Sequence, residues 1–275
     1  MANTLLNAVK NLRNDSLREL VNAFAFTGEE EATTSSFPGS NYGYISGGKP
    51  VSLDAVESFS FTSDGGGTDV GNLSEGRYNC SGQSSSTHGY TCAGQPGAKD
   101  TIDKFPFTSG FATATDVGNL TGGRNKVAGQ SSIPNGYGYN TGGGYNVIEK
   151  FSFTSDGNST SVGNTLAVRG YAVGQSSTTH GYTSSGGFAP PSGVLGSNVI
   201  DKFSFSADGN ATDVGDLTVS RYGAAGQSST THGYSSGGTH NPLSVIDKFP
   251  FSTDANATDV GDLTVGRWYA AGQQY

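Results

Sequence analysis

The stretch DVGDLTVSRYGAAGQSSTTHGYSSGG occupies Asp213–Gly238, and a shorter copy, DVGDLTVGRWYAAGQQY, occupies Asp259–Tyr275. The two run in step through the arginine and the glutamine, after which the second copy lacks the HGYSSGG half. The same tags recur upstream. Phe-Ser/Pro-Phe begins at Phe59, Phe105, Phe151, Phe203 and Phe249, at spacings of 46, 46, 52 and 46 residues. The one long spacing holds an insertion, FAPPSGVLGS, at Phe188–Ser197.

Each unit reads as four short strands separated by turn residues. In the fourth unit, Arg221–Ala225 is a small-residue run ending in Gly226-Gln227, and His232–Ser236 ends at Gly237-Gly238. Val199–Phe205 alternates apolar and polar residues, though not as a clean one-face pattern, as expected of a strand packed on both faces. Thr212–Leu217 follows Asp208-Gly209-Asn210, residue types that suit a hairpin turn. Four antiparallel strands per ~45 residues, in tandem, describe a β-propeller blade. The expected fold is therefore all-β, a five-bladed β-propeller over residues 36–275, preceded by a helical arm and linker over 1–35.

Strand counting gives a further expectation. Arginine strands start at Arg77, Arg124, Arg169, Arg221 and Arg267, and Gly-Tyr strands lie at Gly43-Tyr44, Gly89-Tyr90, Gly138-Tyr139, Gly181-Tyr182 and Gly233-Tyr234. The first Gly-Tyr strand has no arginine strand before it, and the last arginine strand has no Gly-Tyr strand after it. A blade cannot cover its own two faces. The C-terminal strand is thus expected beside Tyr42–Gly48, closing the ring.

Composition agrees with this class. Of 275 residues, 43 are Gly, 15 Phe and 13 Tyr, and only 14% are charged, which suits short strands and tight turns rather than a disordered tail. The net charge of −8 gives no electrostatic reason to bind nucleic acid or an anionic membrane. No apolar run reaches the ~18 residues of a membrane span. The start, MANTLLNAVKNLRNDSLREL, mixes charge into its apolar stretch and is a poor secretory signal, so display outside a cell is expected through assembly or lysis.

The unit resembles the kelch repeat: an arginine start, a second strand ending in double glycine (Gly47-Gly48, Gly142-Gly143, Gly186-Gly187, Gly237-Gly238), then an apolar-aromatic strand. It departs at Ala93-Gly94 and in having Val70, Val117, Val162, Val214 and Val260 where kelch repeats carry a fourth-strand tryptophan. Kelch propellers are often closed by a C-terminal first strand, which the resemblance implies here too. The fold hosts enzymes and binding proteins alike. The stretches Val199–Gly238 and Val245–Gln273 also resemble repeats in virion proteins of marine bacteriophages, especially those of cyanobacteria. That resemblance implies a virion component.

Several residues invite a chemical role. His88, His180 and His232 share one slot in their hairpins; a metal or an anionic sugar is one reading, a turn histidine bonded locally the other. The five arginines read as blade-holding donors. Cys80 and Cys92 are expected directly opposite one another, as Ala224 is to Ser236, either as a disulfide or as two reduced thiols. The loops around Asp208 lack the ligand spacing of a calcium loop, and no GxSxG, HExxH or P-loop motif is present. No enzyme activity, cofactor or metal is expected. The irregular loops supply the candidate binding residues Tyr137, Tyr139, Tyr145, Phe188 and His240, whose aromatic faces suit a sugar or protein; plain solvent loops are the alternative.

Leu5, Leu6, Val9 and Leu12 recur at helical spacing, as do Leu17, Leu20, Val21 and Phe24, and Ser16 with Glu19 forms a capping box. So short an amphipathic arm needs a surface to cover it. Leu5, Val9, Leu12, Leu17, Leu20 and Phe24 are the expected assembly residues, docking to other virion proteins or in self-association; packing on the chain's own propeller is the alternative. The expected role is a non-enzymatic virion structural protein (tail, fibre or capsid decoration) anchored by its arm. Its propeller would serve adhesion or recognition of a host-surface glycan or protein. The alternative is a carbohydrate-binding module of a bacterial surface or secreted protein.

Overall fold

The computed structural model describes residues 41–49, 51–108, 110–188, 195–239, 242–270 and 272. The chain divides into two units, Met1–Phe37 and Pro38–Tyr275. The expected arm and its assembly residues lie outside the described residues.

Five antiparallel sheets follow one another along the chain. Blade one holds β1 (Tyr42–Ser46), β2 (Ala55–Ser60) and β3 (Thr68–Asn72). Blade two holds β4 (Ser81–Ser84), β5 (His88–Cys92), β6 (Thr101–Pro106) and β7 (Thr115–Asn119). Blade three holds β8 (Val127–Ser132), β9 (Tyr137–Gly142), β10 (Tyr145–Ser152) and β11 (Thr160–Arg169). Blade four holds β12 (Val173–Ser176), β13 (His180–Ser184), β14 (Gly187–Phe188), β15 (Leu195–Ser204) and β16 (Thr212–Arg221). Blade five holds β17 (Ala225–Ser228), β18 (His232–Ser236), β19 (Val245–Pro250) and β20 (Thr258–Asp262). The fold is an all-β, five-bladed propeller, with no helix among the described residues. The insertion lengthens blade four: β14 pairs with the Leu195–Gly196 end of β15.

The first strands of blades three, four and five each carry a glycine because the preceding blade's backbone lies against it. A methyl group on Gly129 would come within 2.5 Å of the Gly82 carbonyl oxygen, and one on Gly226 within 2.9 Å of that of Gly174. Gly174 is closed off by Gly129 in the same way. The arginine precedes this strand rather than opening it: Arg221 ends β16, and the strand begins at Ala225.

Three contacts recur between successive blades. A second-strand tyrosine packs on the Phe-x-Phe pair of the next blade, with ring centroids 4.8 Å apart for Tyr44 and Phe107, 4.9 Å for Tyr90 and Phe153, 4.9 Å for Tyr139 and Phe205, and 4.7 Å for Tyr182 and Phe251. A first-strand glutamine amide donates to the next blade's tyrosine carbonyl: Gln83 to Tyr139 at 2.9 Å, Gln130 to Tyr182 at 3.0 Å and Gln175 to Tyr234 at 2.9 Å. A third-strand lysine meets the next blade's turn aspartate, as in Lys104–Asp156, Lys150–Asp208 and Lys202–Asp254. The buried aromatic pairs, with the glutamine bonds between blades two and five, stabilise the array beyond area burial alone.

Blade five and blade one do not repeat these contacts among the described residues. Tyr234, Lys248 and Gln227 have no partner in blade one. Phe61 is 45% exposed and Val260 48% exposed, whereas the equivalent Phe205 and Val214 are buried. Ile45 is 51% exposed where Thr91, Asn140 and Thr183 are buried. The strand expected to close the ring falls mainly on residues 271 and 273–275, outside the described residues. Of that strand Gly272 is described, and it lies against Gly226 as Gly226 lies against Gly174.

Candidate functional site

Four of the arginines are interior ion-pair partners. Arg77, Arg124, Arg169 and Arg221 reach Asp103, Glu149, Asp201 and Asp247 on the Phe-x-Phe strand of the blade that follows each arginine. The contact is 2.8 Å for Arg77 and 2.6 Å for Arg221. Burial pushes the Asp103 and Asp201 carboxyls up, against hydrogen bonds and the facing guanidinium, which hold them down. Charges paired in the interior in this way read as structural.

The histidines are held locally. Thr87, Thr179 and Thr231 place a hydroxyl 2.8 Å from Nδ1 of His88, His180 and His232. The backbone N–H of each donates to Ser85, Ser177 or Ser229. Among the described residues, no three His, Cys, Asp or Glu side chains gather to hold a metal.

The cysteines correct the expected register. Ser81, not Cys80, stands opposite Cys92, just as Ala225 rather than Ala224 stands opposite Ser236. A one-residue slip turns a side chain to the other face of the sheet, so the two sulfurs are not facing partners. Both thiols are free. The Cys92 thiol donates to Gln83 Oε1 at 3.3 Å, and burial pushes its pKa far up.

The candidate aromatics do not converge. Tyr139 is buried as the third-blade member of the tyrosine series and belongs to the junction. Tyr137 and Tyr145 stand at opposite ends of the β9–β10 pair, since Tyr137 pairs with Ser152 while Tyr145 begins β10. Lys150 Nζ lies 5.0 Å from the Tyr137 ring, and the Arg124 guanidinium 4.9 Å from that of Tyr145. Phe188 ends β14. His240 lies outside the described residues.

A different set of aromatics does come together. Two residues follow each arginine: Tyr78-Asn79, Asn125-Lys126, Gly170-Tyr171, Tyr222-Gly223 and Trp268-Tyr269. The second of each pair has a left-handed backbone, with φ of 55° at Asn79, 62° at Lys126, 56° at Tyr171, 62° at Gly223 and 54° at Tyr269. Successive members are joined across blades. Lys126 N–H donates to Asn79 C=O at 2.8 Å, Tyr171 to Lys126 at 3.0 Å, Gly223 to Tyr171 at 3.0 Å and Tyr269 to Gly223 at 2.7 Å. These bonds form a backbone arc at one end of the first strands. Left-handed φ is costly for a residue with a side chain and persists where the surroundings fix it, often at functional sites.

The side chains on this arc form a platform. Tyr171 and Tyr269 have ring centroids 5.0 Å apart, and Tyr171 and Tyr222 6.1 Å. Lys126 Nζ sits 4.6 Å from the Tyr171 ring. Gly223 leaves room for the Tyr269 ring, which a methyl group there would approach to 2.8 Å. Tyr269 is 54% exposed. Partial burial, then the neighbouring Tyr171 and Tyr222, pushes its hydroxyl up to about 12, so it stays protonated and able to donate. The platform can stack against C–H faces of a sugar ring or an apolar side chain, with phenol and ammonium donors at its edge.

The loops drew attention in the sequence because they break the repeat. The platform is hidden inside the repeat, in two variable positions beside an invariant arginine. Alignment of the five units on that arginine displays the aromatic enrichment. No protein-family model matches the chain, and no curated protein matches it.

Proposed function

We propose that this chain is a non-enzymatic binding propeller whose tyrosine platform recognises a surface glycan or glycan-bearing protein, displayed as a structural component of a virion. The observation that carries the binding role is the packing of Tyr171, Tyr222 and Tyr269, from three successive inter-blade links, into one partly exposed aromatic surface. Rigid blades hold these rings without a ligand, so little ordering entropy opposes binding. The virion setting is supported by the resemblance of Val199–Gly238 and Val245–Gln273 to phage virion repeats. A carbohydrate-binding module of a bacterial surface or secreted protein uses the same platform in another setting.

A glycan array probed with the full chain tests the binding role, with Tyr171→Ala and Tyr269→Ala as controls. Binding to a defined glycan class that both substitutions weaken at least tenfold is expected. Binding that neither variant changes removes the platform from the reading. Mass spectrometry of purified particles decides the setting: absence of the chain from them leaves the surface-module reading.

A further inference from the structure

Blade five and blade one each carry one half of a blade junction. Tyr234 and Lys248 occupy the positions of Tyr182 and Lys202, which in blade four engage Phe251 and Asp254 of the next blade. Blade one offers the matching acceptors, Phe61 and Asp64, at the positions of Phe251 and Asp254. Glu57, opposite Asp69 in the sheet, stands where Asp103, opposite Asp116, receives Arg77. Glu57 is exposed and meets no arginine among the described residues. Arg267 is exposed and meets no carboxylate among the described residues, its guanidinium donating to Val265 C=O.

We propose that these two faces join head to tail between copies of the chain, blade five of one copy docking on blade one of the next. Tyr234 then packs on Phe61, Lys248 meets Asp64, and Arg267 enters blade one to pair with Glu57. Each contact copies one made at the other junctions. The faces are complementary in shape class and in charge, and they are not each other's cover within the chain, since Phe61 and Val260 remain open. Open apolar surface beside unpaired opposite charges marks an interaction site. Two different faces make a heterologous contact, which extends into rings or filaments rather than stopping at a dimer.

Sedimentation velocity of the full chain over a wide range of concentration tests this. Assemblies that grow with concentration are expected. Phe61→Asp blocks the front face and Val260→Asp the rear. Both positions are exposed in the single chain, and circular dichroism should show both variants folded. Each variant alone should be monomeric, and an equimolar mixture should form a dimer and nothing larger, because one intact face of each kind remains. Lys248→Glu should also lose association and regain it when mixed with Asp64→Lys. A wild-type chain that is monomeric throughout overturns the proposal, as does association that the variants leave unchanged or a mixture that stays monomeric. Glycan binding is measured separately, so failure here leaves the platform reading intact.

Discussion

Arg221 Nη2 lies 2.6 Å from Asp247 Oδ2, and neither side chain has any exposed surface. The pair ties the end of β16 to β19, and Asp247 also receives the Thr218 N–H and hydroxyl. Arg221 adds bonds to the Gly237 and Val245 carbonyls at 3.1 and 3.2 Å. One guanidinium therefore links the strand that leaves blade four to three positions of blade five.

Removing one member leaves a buried charge uncompensated. Arg221→Met should cost about 3–5 kcal/mol in urea unfolding, and Asp247→Leu a similar amount, with the double variant losing less than the two together. Arg267→Met, at an exposed position of the single chain, should change dilute-solution stability by no more than about 0.5 kcal/mol. Equal losses at Arg221 and Arg267 would contradict the assignment of these roles.

Gly181 faces Phe203 across the β13–β15 pair, and a methyl group at Gly181 would overlap the phenyl ring. Gly181→Ala is expected to lower stability by about 1–3 kcal/mol, the range for overpacking a filled site. Gly209 has nothing near the position a methyl group would take and no left-handed φ. Gly209→Ala should fall within about 0.5 kcal/mol of the parent. Thermal unfolding of the two variants side by side is the check.

Burial lowers the pKa of His88 and His180 below the ordinary 6.5, helped by Lys104 and Lys202 and opposed by Asp156 and Asp254. Below 6.5 the unfolded chain takes up protons that the folded one resists. The contribution of these residues is thus complete above 6.5 and is lost as pH falls through the window down to the folded values. Unfolding free energy should decline between about pH 7 and 5. The His88→Gln/His180→Gln double variant should show a flatter profile over that range. An unchanged slope would mean that other groups govern it.

Much of the fold was legible in the residues. The Phe-x-Phe tag, the Gly-Tyr tag and the arginine each recur because every blade solves the same packing problem, with Gly181 under Phe203 as one instance. The cysteine register was not legible. A hairpin of small polar residues such as SGQSSSTHGYT has no apolar pattern to fix its alignment, and the backbone paired Ser81 with Cys92. The candidate aromatics misled in another way. Tyr139 looked irregular by its surroundings, yet by register it is the repeat's own junction tyrosine.

The sequence by itself determined the blade number and the strand order within a blade, because these depend on local patterns repeated at a fixed period. Only the tertiary structure decided that Tyr171, Tyr222 and Tyr269 meet, and that the faces carrying Tyr234 and Phe61 stay apart. Both depend on the angle between successive blades. That angle is set by packing summed over whole sheets and is written in no single unit.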